Sequence, residues 1–422
     1  MGLIVTKRLV NYFKDVGLYF AASFIPMLLK VAVNPLIALN MSPEDYGLTG
    51  YFTSFTSLIS PIILFYLLHY FNKRFFELQP EERIPLKALI FKALIGFSFI
   101  VAVLCFWGLY VYIKCSDTIY VNYIFPFLIF VVFSIPLTGI YSLELADFKM
   151  SRNPKGYFKL AFSVGLLTVI ADIFFVVIIK QGAFGKMLSP LVCNLIVFLY
   201  LIIRHKDLLK IKSSFKEFLP VLKFCWPLAL GAMLGYFSQG YDKTFLSSIG
   251  DTVEYGNYIV GNQMAGYLSV FGAAIYSTFQ PDIYENIIKK NNRKLIGTVL
   301  LQLLFVSVII LLFVFCAPLI IKILTAGRYM DSTVYAQIIS VSVLSSTIYY
   351  IINDYTIATG HPNFYLYTTI IGSVLIIVLM PIVVNCLGYK GGALMVVVSY
   401  VLLAVTNVFV LLCYKLFRRW KL

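Results

Sequence analysis

Apolar residues recur in runs of about twenty along this chain, and polar residues gather in short clusters between the runs. A membrane-crossing helix needs about 20 largely apolar residues. Such runs fall at 16–38, 48–70, 88–112, 121–143, 159–179, 184–203, 222–247, 255–279, 296–319, 334–357, 364–386 and 392–414. They predict an all-α integral membrane protein of twelve transmembrane helices. The first run is longer than the apolar region of a signal peptide and passes through Asn34-Pro35 without a small-x-small cleavage pattern, so it reads as a retained span. The longest connection is the basic stretch Arg204–Lys223, which parts six helices from six. The domains expected are a six-helix bundle over 1–210 and a second over 211–422.

Composition supports this reading. Apolar residues make up 60% of the 422 and charged residues 13%, with a mean hydropathy of +0.89, whereas soluble chains run near half apolar and a quarter charged. The net charge of +15 is not a nucleic-acid footprint, because the bases sit in short stretches between apolar runs. With the N-terminus inside, cytoplasmic segments hold twenty-five Lys and Arg and outside loops hold six. This is a strong positive-inside bias, and it places both termini in the cytoplasm.

Enzyme signatures fail. Gly182-Ala183-Phe184-Gly185-Lys186 lacks the spacing of a phosphate-binding loop and falls in an expected outside turn. No zinc-protease, nucleophile-elbow or Ser-x-x-Lys pattern is present. The seven cysteines form no Cys-x-x-Cys pair, and His69, His205 and His361 are far apart, so neither metal nor cofactor is expected.

Ionisable residues inside apolar runs are the better guide, since such groups face a cavity or a partner. Lys30 lies in the first span, about 12 Å from its outer end, with Asn34 one turn on. Its ammonium either snorkels outward or faces a cavity, and the depth favours a cavity. Asp242 and Lys243 close the seventh span, with Gln239 one turn before Lys243. They are either an outer-interface pair or split between the lumen and a neighbouring helix. Asp172, in the fifth span, is expected to be protonated or paired with a base such as Lys30 or Lys243, and is a candidate for ion coupling. Asp354, at the inner end of the tenth span, reads as solvated. Hydroxyls at Thr49, Thr53, Ser57 and Ser60 keep helical spacing on the second span, as do Asn257 with Gly261 and Tyr258 with Asn262 on the eighth. Taken together, these predict a polar, anion-favouring region shared by helices one, two, seven and eight.

A weak internal repeat is visible. Glu44-Asp45-Tyr46-Gly47 follows the first span and Val253-Glu254-Tyr255-Gly256 the seventh, 209 residues apart. An even number of helices per half leaves both halves pointing the same way, related by a pseudo-two-fold along the membrane normal.

Four segments carry a family resemblance: Met41-Ser42-Pro43-Glu44-Asp45-Tyr46-Gly47, Tyr241-Asp242-Lys243-Thr244-Phe245-Leu246, Glu254-Tyr255-Gly256-Asn257-Tyr258 and Phe279-Gln280-Pro281-Asp282-Ile283-Tyr284-Glu285. The chain resembles the Wzx-type polysaccharide and O-antigen flippases of the multidrug/oligosaccharidyl-lipid/polysaccharide exporter superfamily. The resemblance implies a two-bundle fold in the cell inner membrane. It also implies translocation of an undecaprenyl-diphosphate-linked oligosaccharide, such as a lipopolysaccharide O-antigen unit, by alternating access. Substrate-binding cavity candidates are then Lys30, Asn34, Gln239, Asp242, Lys243 and Asn262. Partners implied are the lipid-linked oligosaccharide, membrane lipids, a polysaccharide polymerase and a chain-length regulator. The alternatives are a multidrug/cation antiporter of the same superfamily and a membrane-bound glycan polymerase. A cavity rich in carboxylates would mark the antiporter, and the polymerases usually carry a large external domain.

The topology is testable with single cysteines at Ser42 and Ser213 in a cysteine-free background. Impermeant labelling of intact cells should modify position 42 and spare 213. The reverse pattern overturns the orientation.

Overall fold

The computed structural model describes residues 2–75, 77–116, 118–212, 214–359 and 364–420, without the side chains of 2–17, 19, 20, 23, 215 and 415–420. Ser213 and His361 lie outside the described residues. Every described element is helical. In lipid no water satisfies backbone amides and carbonyls, so a helix that pairs them internally is the available answer. Among the described residues eight helices are long and apolar enough to cross a membrane, or nine if one bent pair counts as a span. The chain is a multi-pass membrane protein.

The expected spans all fall on helices, and the differences have local causes. The run at 48–70 is broken into Pro43–Ser54, Thr56–Ile63 and Leu67–Phe75, with a bend of 49°. Phe65 and Tyr66 take positive φ at that bend. The run at 222–247 becomes Phe215–Leu234, Tyr236–Gln239 and Tyr241–Leu246, interrupted at Gly235 and Gly240. A Cβ at Gly240 would lie 2.8 Å from the Ser54 carbonyl oxygen, so this break lets two backbones meet. The last two runs share one helical stretch, Phe364–Trp420, broken only at Gly388, where φ is +57°. Gly182–Lys186 is not an outside turn. It forms the first turn of the helix Gly182–Arg204, which follows a π-helical segment Ile173–Ile178.

The residues cluster into two compact units. One holds Met1–Met41, Ile59–Ser116 and Val121–Leu230, and the other Ser42–Leu58, Asp117–Tyr120 and Gly231–Leu422. These are not the sequence halves, because each half lends a segment to the unit built mainly from the other. In the first unit, Phe218, Val221 and Cys225 join a core with Leu67, Phe71, Phe91 and Leu94. Helix Gly2–Leu39 approaches helix Pro154–Asp172 closely enough that a Cβ at Gly165 would collide with the Pro26 ring.

In the second unit the repeat motifs meet. Ser42 caps Pro43–Ser54 through a capping box with Asp45, and Asp251, at the equivalent position, caps Thr252–Ile288 by accepting from Val253 and Glu254. A Cβ on Gly47 would strike the Tyr255 ring at 2.9 Å, one on Gly50 would strike Ile259, and one on Gly256 would strike the Pro43 backbone. Small residues let the two helices touch backbone to side chain, which is how helices associate where lipid removes the hydrophobic drive.

Gly256→Ala should therefore lower stability by about 1–3 kcal/mol, because the opposing atoms belong to backbone and cannot swing aside. Gly266→Ala in the same helix meets nothing within 4 Å and should leave the melting temperature level or slightly raised. Thermal melts of both variants in one detergent check the contrast; matched melts dismiss the close-contact account.

Candidate functional site

Asp172 ends the helix Pro154–Asp172 and is 5% exposed. Its Oδ2 accepts from Lys186 Nζ at 2.7 Å, and its Oδ1 has no hydrogen-bond partner among the described residues. The expected base was Lys30 or Lys243. The direct partner is Lys186, which sits at the edge of the 184–203 run and reads from sequence as an outside-loop base, whereas the structure places it in the helix Gly182–Arg204. Lys30 is exposed, yet lies within electrostatic reach of both Asp172 and Lys186. Asn34, one turn beyond Lys30, is buried. One unit thus holds two cations and one carboxylate among apolar helices, a centre of net positive charge.

A second charged group in that unit escaped sequence reading. Lys87 Nζ donates to Glu144 Oε2 at 2.8 Å and to Asp147 Oδ2 at 2.7 Å, and His205 Nε2 is 3.1 Å from the same Glu144 oxygen. The group ties together the ends of helices Pro80–Lys114, Ile124–Met150 and Gly182–Arg204. Glu144 lies one residue past the predicted 121–143 span, so it reads from sequence as an ordinary loop acid.

In the second unit the adjacent Asp242 and Lys243 diverge. Asp242 is buried and accepts from the hydroxyl of Tyr258, itself fully buried. Lys243 turns its ammonium back to the Gln239 carbonyl at 3.1 Å, while its own carbonyl accepts from the Tyr255 hydroxyl at 2.9 Å. Lys243 has no acidic partner among the described residues. Gln239 is exposed and Asn262 half-buried. The structure therefore joins Asp242 to Tyr258 and leaves Lys243 as a separate cation.

Two expectations are corrected. Asp354 is not solvated: it is buried, accepting from Tyr276 at 2.6 Å, Tyr284 at 3.1 Å and Gln280 at 3.3 Å. Those donors recur every fourth residue on Thr252–Ile288, a spacing visible in the sequence once its target is known. The hydroxyl stripe on the second span is spent locally. Thr49 donates to the Tyr46 carbonyl, Thr53 to Thr49 and Ser57 to Ser54, each at 2.9 Å or less. A hydroxyl satisfied by its own helix needs no wet cavity. No group of three or more potential metal ligands occurs among the described residues.

A profile of a family described as "polysaccharide biosynthesis protein" matches residues 37–334. No curated protein matches the chain in sequence. Among solved structures, it is similar to the lipid II flippase MurJ in an inward closed conformation. That match has a TM-score of 0.66 and 18% identity, covering 93% of this chain and 87% of that one. It is also similar to an inward-facing multidrug resistance MATE family transporter of the MOP superfamily, at TM-score 0.67, 14% identity and coverage of 95% and 99%. A third is a MOP superfamily transporter from Pyrococcus furiosus described as having a binding pocket of reverse polarity. Its TM-score is 0.59 with 12% identity, over 95% and 96% of the two chains. At such identities the likeness is one of fold, and the family rests on the profile, which spans well over half the chain. The chain therefore belongs to the polysaccharide biosynthesis protein family.

Proposed function

We propose that this protein is a flippase that carries an undecaprenyl-diphosphate-linked oligosaccharide, an O-antigen or other surface polysaccharide repeat unit, across the cytoplasmic membrane. The observation that carries the reading is the net-positive centre of Lys30, Asp172 and Lys186 among apolar helices in a member of a polysaccharide biosynthesis family. A diphosphate is the one part of such a substrate with high charge density. Charge pairing in a medium of low dielectric outweighs single sugar hydrogen bonds, so head-group charge dominates recognition. The family and its structural neighbours are transporters and flippases rather than enzymes.

In this reading Lys30 and Lys243 supply cations, and Asn34, Gln239 and Asn262 supply sugar contacts. Asp242, held by Tyr258, orients its helix, and Asp172 is the coupling group. Twelve spans in two pseudo-symmetric six-helix bundles with cytoplasmic termini work by alternating access, each bundle built mainly from one sequence half, 1–210 or 211–422. A polysaccharide polymerase and a chain-length regulator act on the delivered unit. One observation favours a second reading, a multidrug/cation antiporter: the fold is similar to that of a multidrug resistance MATE family transporter.

Two measurements separate these. Lys30→Ala and Lys243→Ala, purified into nanodiscs, should weaken binding of a diphosphate lipid about tenfold, the effect of one charge-assisted hydrogen bond. A neutral lipid-linked sugar should be affected far less, and Lys→Arg should keep part of the affinity. Equal losses for both ligands make these lysines structural. For coupling, Asp172→Asn should abolish the response of transport to an imposed proton gradient. Asp172→Asn with Lys186→Gln should restore the melting temperature without restoring that response. A gradient response intact in the double variant removes Asp172 from coupling.

A further inference from the structure

At the far end of the helices that carry Asp172 and Lys186, the first unit has a cleft of about 570 Å³. Lys159 is 13 residues from Asp172 along one helix, roughly 20 Å at 1.5 Å per residue, so the cleft is separate from the charged centre described above. Its mouth is basic and hydroxylic, with Lys159, Arg204, Tyr200, Ser163 and Asn153, and its depth is apolar, with Leu160, Val164, Leu167 and Val197. No Asp or Glu lines it. Neither Lys159 nor Arg204 has an acidic partner among the described residues. This contrasts with the other end of the same helix pair, where Lys186 is paired with Asp172 at 2.7 Å.

We propose that this cleft is a binding site for an anionic glycerophospholipid of the surrounding membrane, with the phosphate held by Lys159 and Arg204 and an acyl chain laid along Leu160, Val164 and Leu167. Three features point to that occupant. Two cations without an acidic partner among the described residues line one opening, and a phosphodiester offers a negative charge and several acceptor oxygens to share between them. Hydroxyl donors from Tyr200 and Ser163 stand beside them. The apolar residues recur at one helix face, 160, 164 and 167, directly continuous with the polar mouth, which is the order of parts in a lipid and not in a free phosphate. Basic pockets between transmembrane helices are a recurrent form of anionic-lipid site. Mass action favours the abundant phospholipid over a scarce carrier lipid at an exposed site. At the cleft's edge Gly156 leaves room for two lining residues, because a Cβ there would stand 2.8 Å from Asn153 Nδ2 and 3.0 Å from the Phe148 ring.

The test uses the full chain in nanodiscs of phosphatidylethanolamine with increasing phosphatidylglycerol, read by native mass spectrometry and by melting temperature. The wild type should retain phosphatidylglycerol in preference to phosphatidylethanolamine. Lys159→Gln with Arg204→Gln should lower that preference at least about tenfold. Ser163→Trp, at an exposed position that fills the opening, should do the same with both charges intact. Lys212→Gln with Lys216→Gln, in the neighbouring basic stretch, should leave the preference unchanged. If that control lowers it as much as the cleft variants do, the attraction is diffuse and the site is discarded. A polyprenyl diphosphate that binds at Lys159 and Arg204 and is not displaced by phosphatidylglycerol also overturns the assignment, in favour of the carried substrate. Neither outcome bears on Lys30 and Lys243, so the transport reading stands or falls separately.

Discussion

A charge inside an apolar helix costs at least ~2.5 kcal/mol on insertion scales, and lipid offers it no water. Each carboxylate buried among the described residues has answered that constraint with a donor from another helix. Asp172 takes Lys186, Glu144 takes Lys87, Asp242 takes Tyr258, and Asp354 takes Tyr276, Gln280 and Tyr284. All four pairings join different helices, and they specify which helices lie together more sharply than the surrounding Leu, Ile and Phe. Apolar faces pack against lipid as readily as against one another. The carboxylates do not.

The four sequence segments that carry the family resemblance acquire a physical meaning in these terms. Glycines of the first and third segments allow Pro43–Ser54 and Thr252–Ile288 to touch. The second segment is held by the third, through Tyr258 on Asp242 and Tyr255 on the Lys243 carbonyl. Gln280 and Tyr284 of the fourth bind Asp354. All of this lies in the unit of Ser42–Leu58, Asp117–Tyr120 and Gly231–Leu422, so these segments describe a single packed scaffold more than a set of ligand contacts. Outside that scaffold, Lys186 is paired with Asp172, while Lys30 and Lys243 make no ion pair among the described residues.

The exchange of segments between the sequence halves has the same origin. Hydropathy sees each run as a cylinder, yet two of them change unit midway, the second run between Leu58 and Ile59 and the seventh between Leu230 and Gly231, so that their parts join different cores. Phe215–Leu234 contributes Phe218 and Cys225 to the core around Phe71 and Leu94, while Pro43–Ser54 packs against Thr252–Ile288. A boundary drawn at the longest loop follows connectivity; packing follows side-chain size and backbone proximity.

The sequence by itself determined the membrane class, the all-helical backbone, the approximate place of the apolar runs and the presence of a carboxylate at Asp172 that needs a partner, because those follow from local composition and the cost of burying charge. It also located the repeat, through Tyr46-Gly47 and Tyr255-Gly256. Tertiary structure alone decided which partner each charge has. Lys186, at the edge of its hydropathy run, read as an outside-loop base, and Glu144 was hidden by a span edge one residue short. Asp354 looked solvated because its donors lie some seventy residues earlier in the chain. The hydroxyls of Thr49, Thr53 and Ser57 looked like a wet surface, since periodicity cannot tell a side chain that faces water from one that bonds the carbonyl of its own preceding turn. Burial and periodicity are properties of a segment, but an ion pair or a glycine contact is a property of two segments, and only the folded chain brings the second one into place.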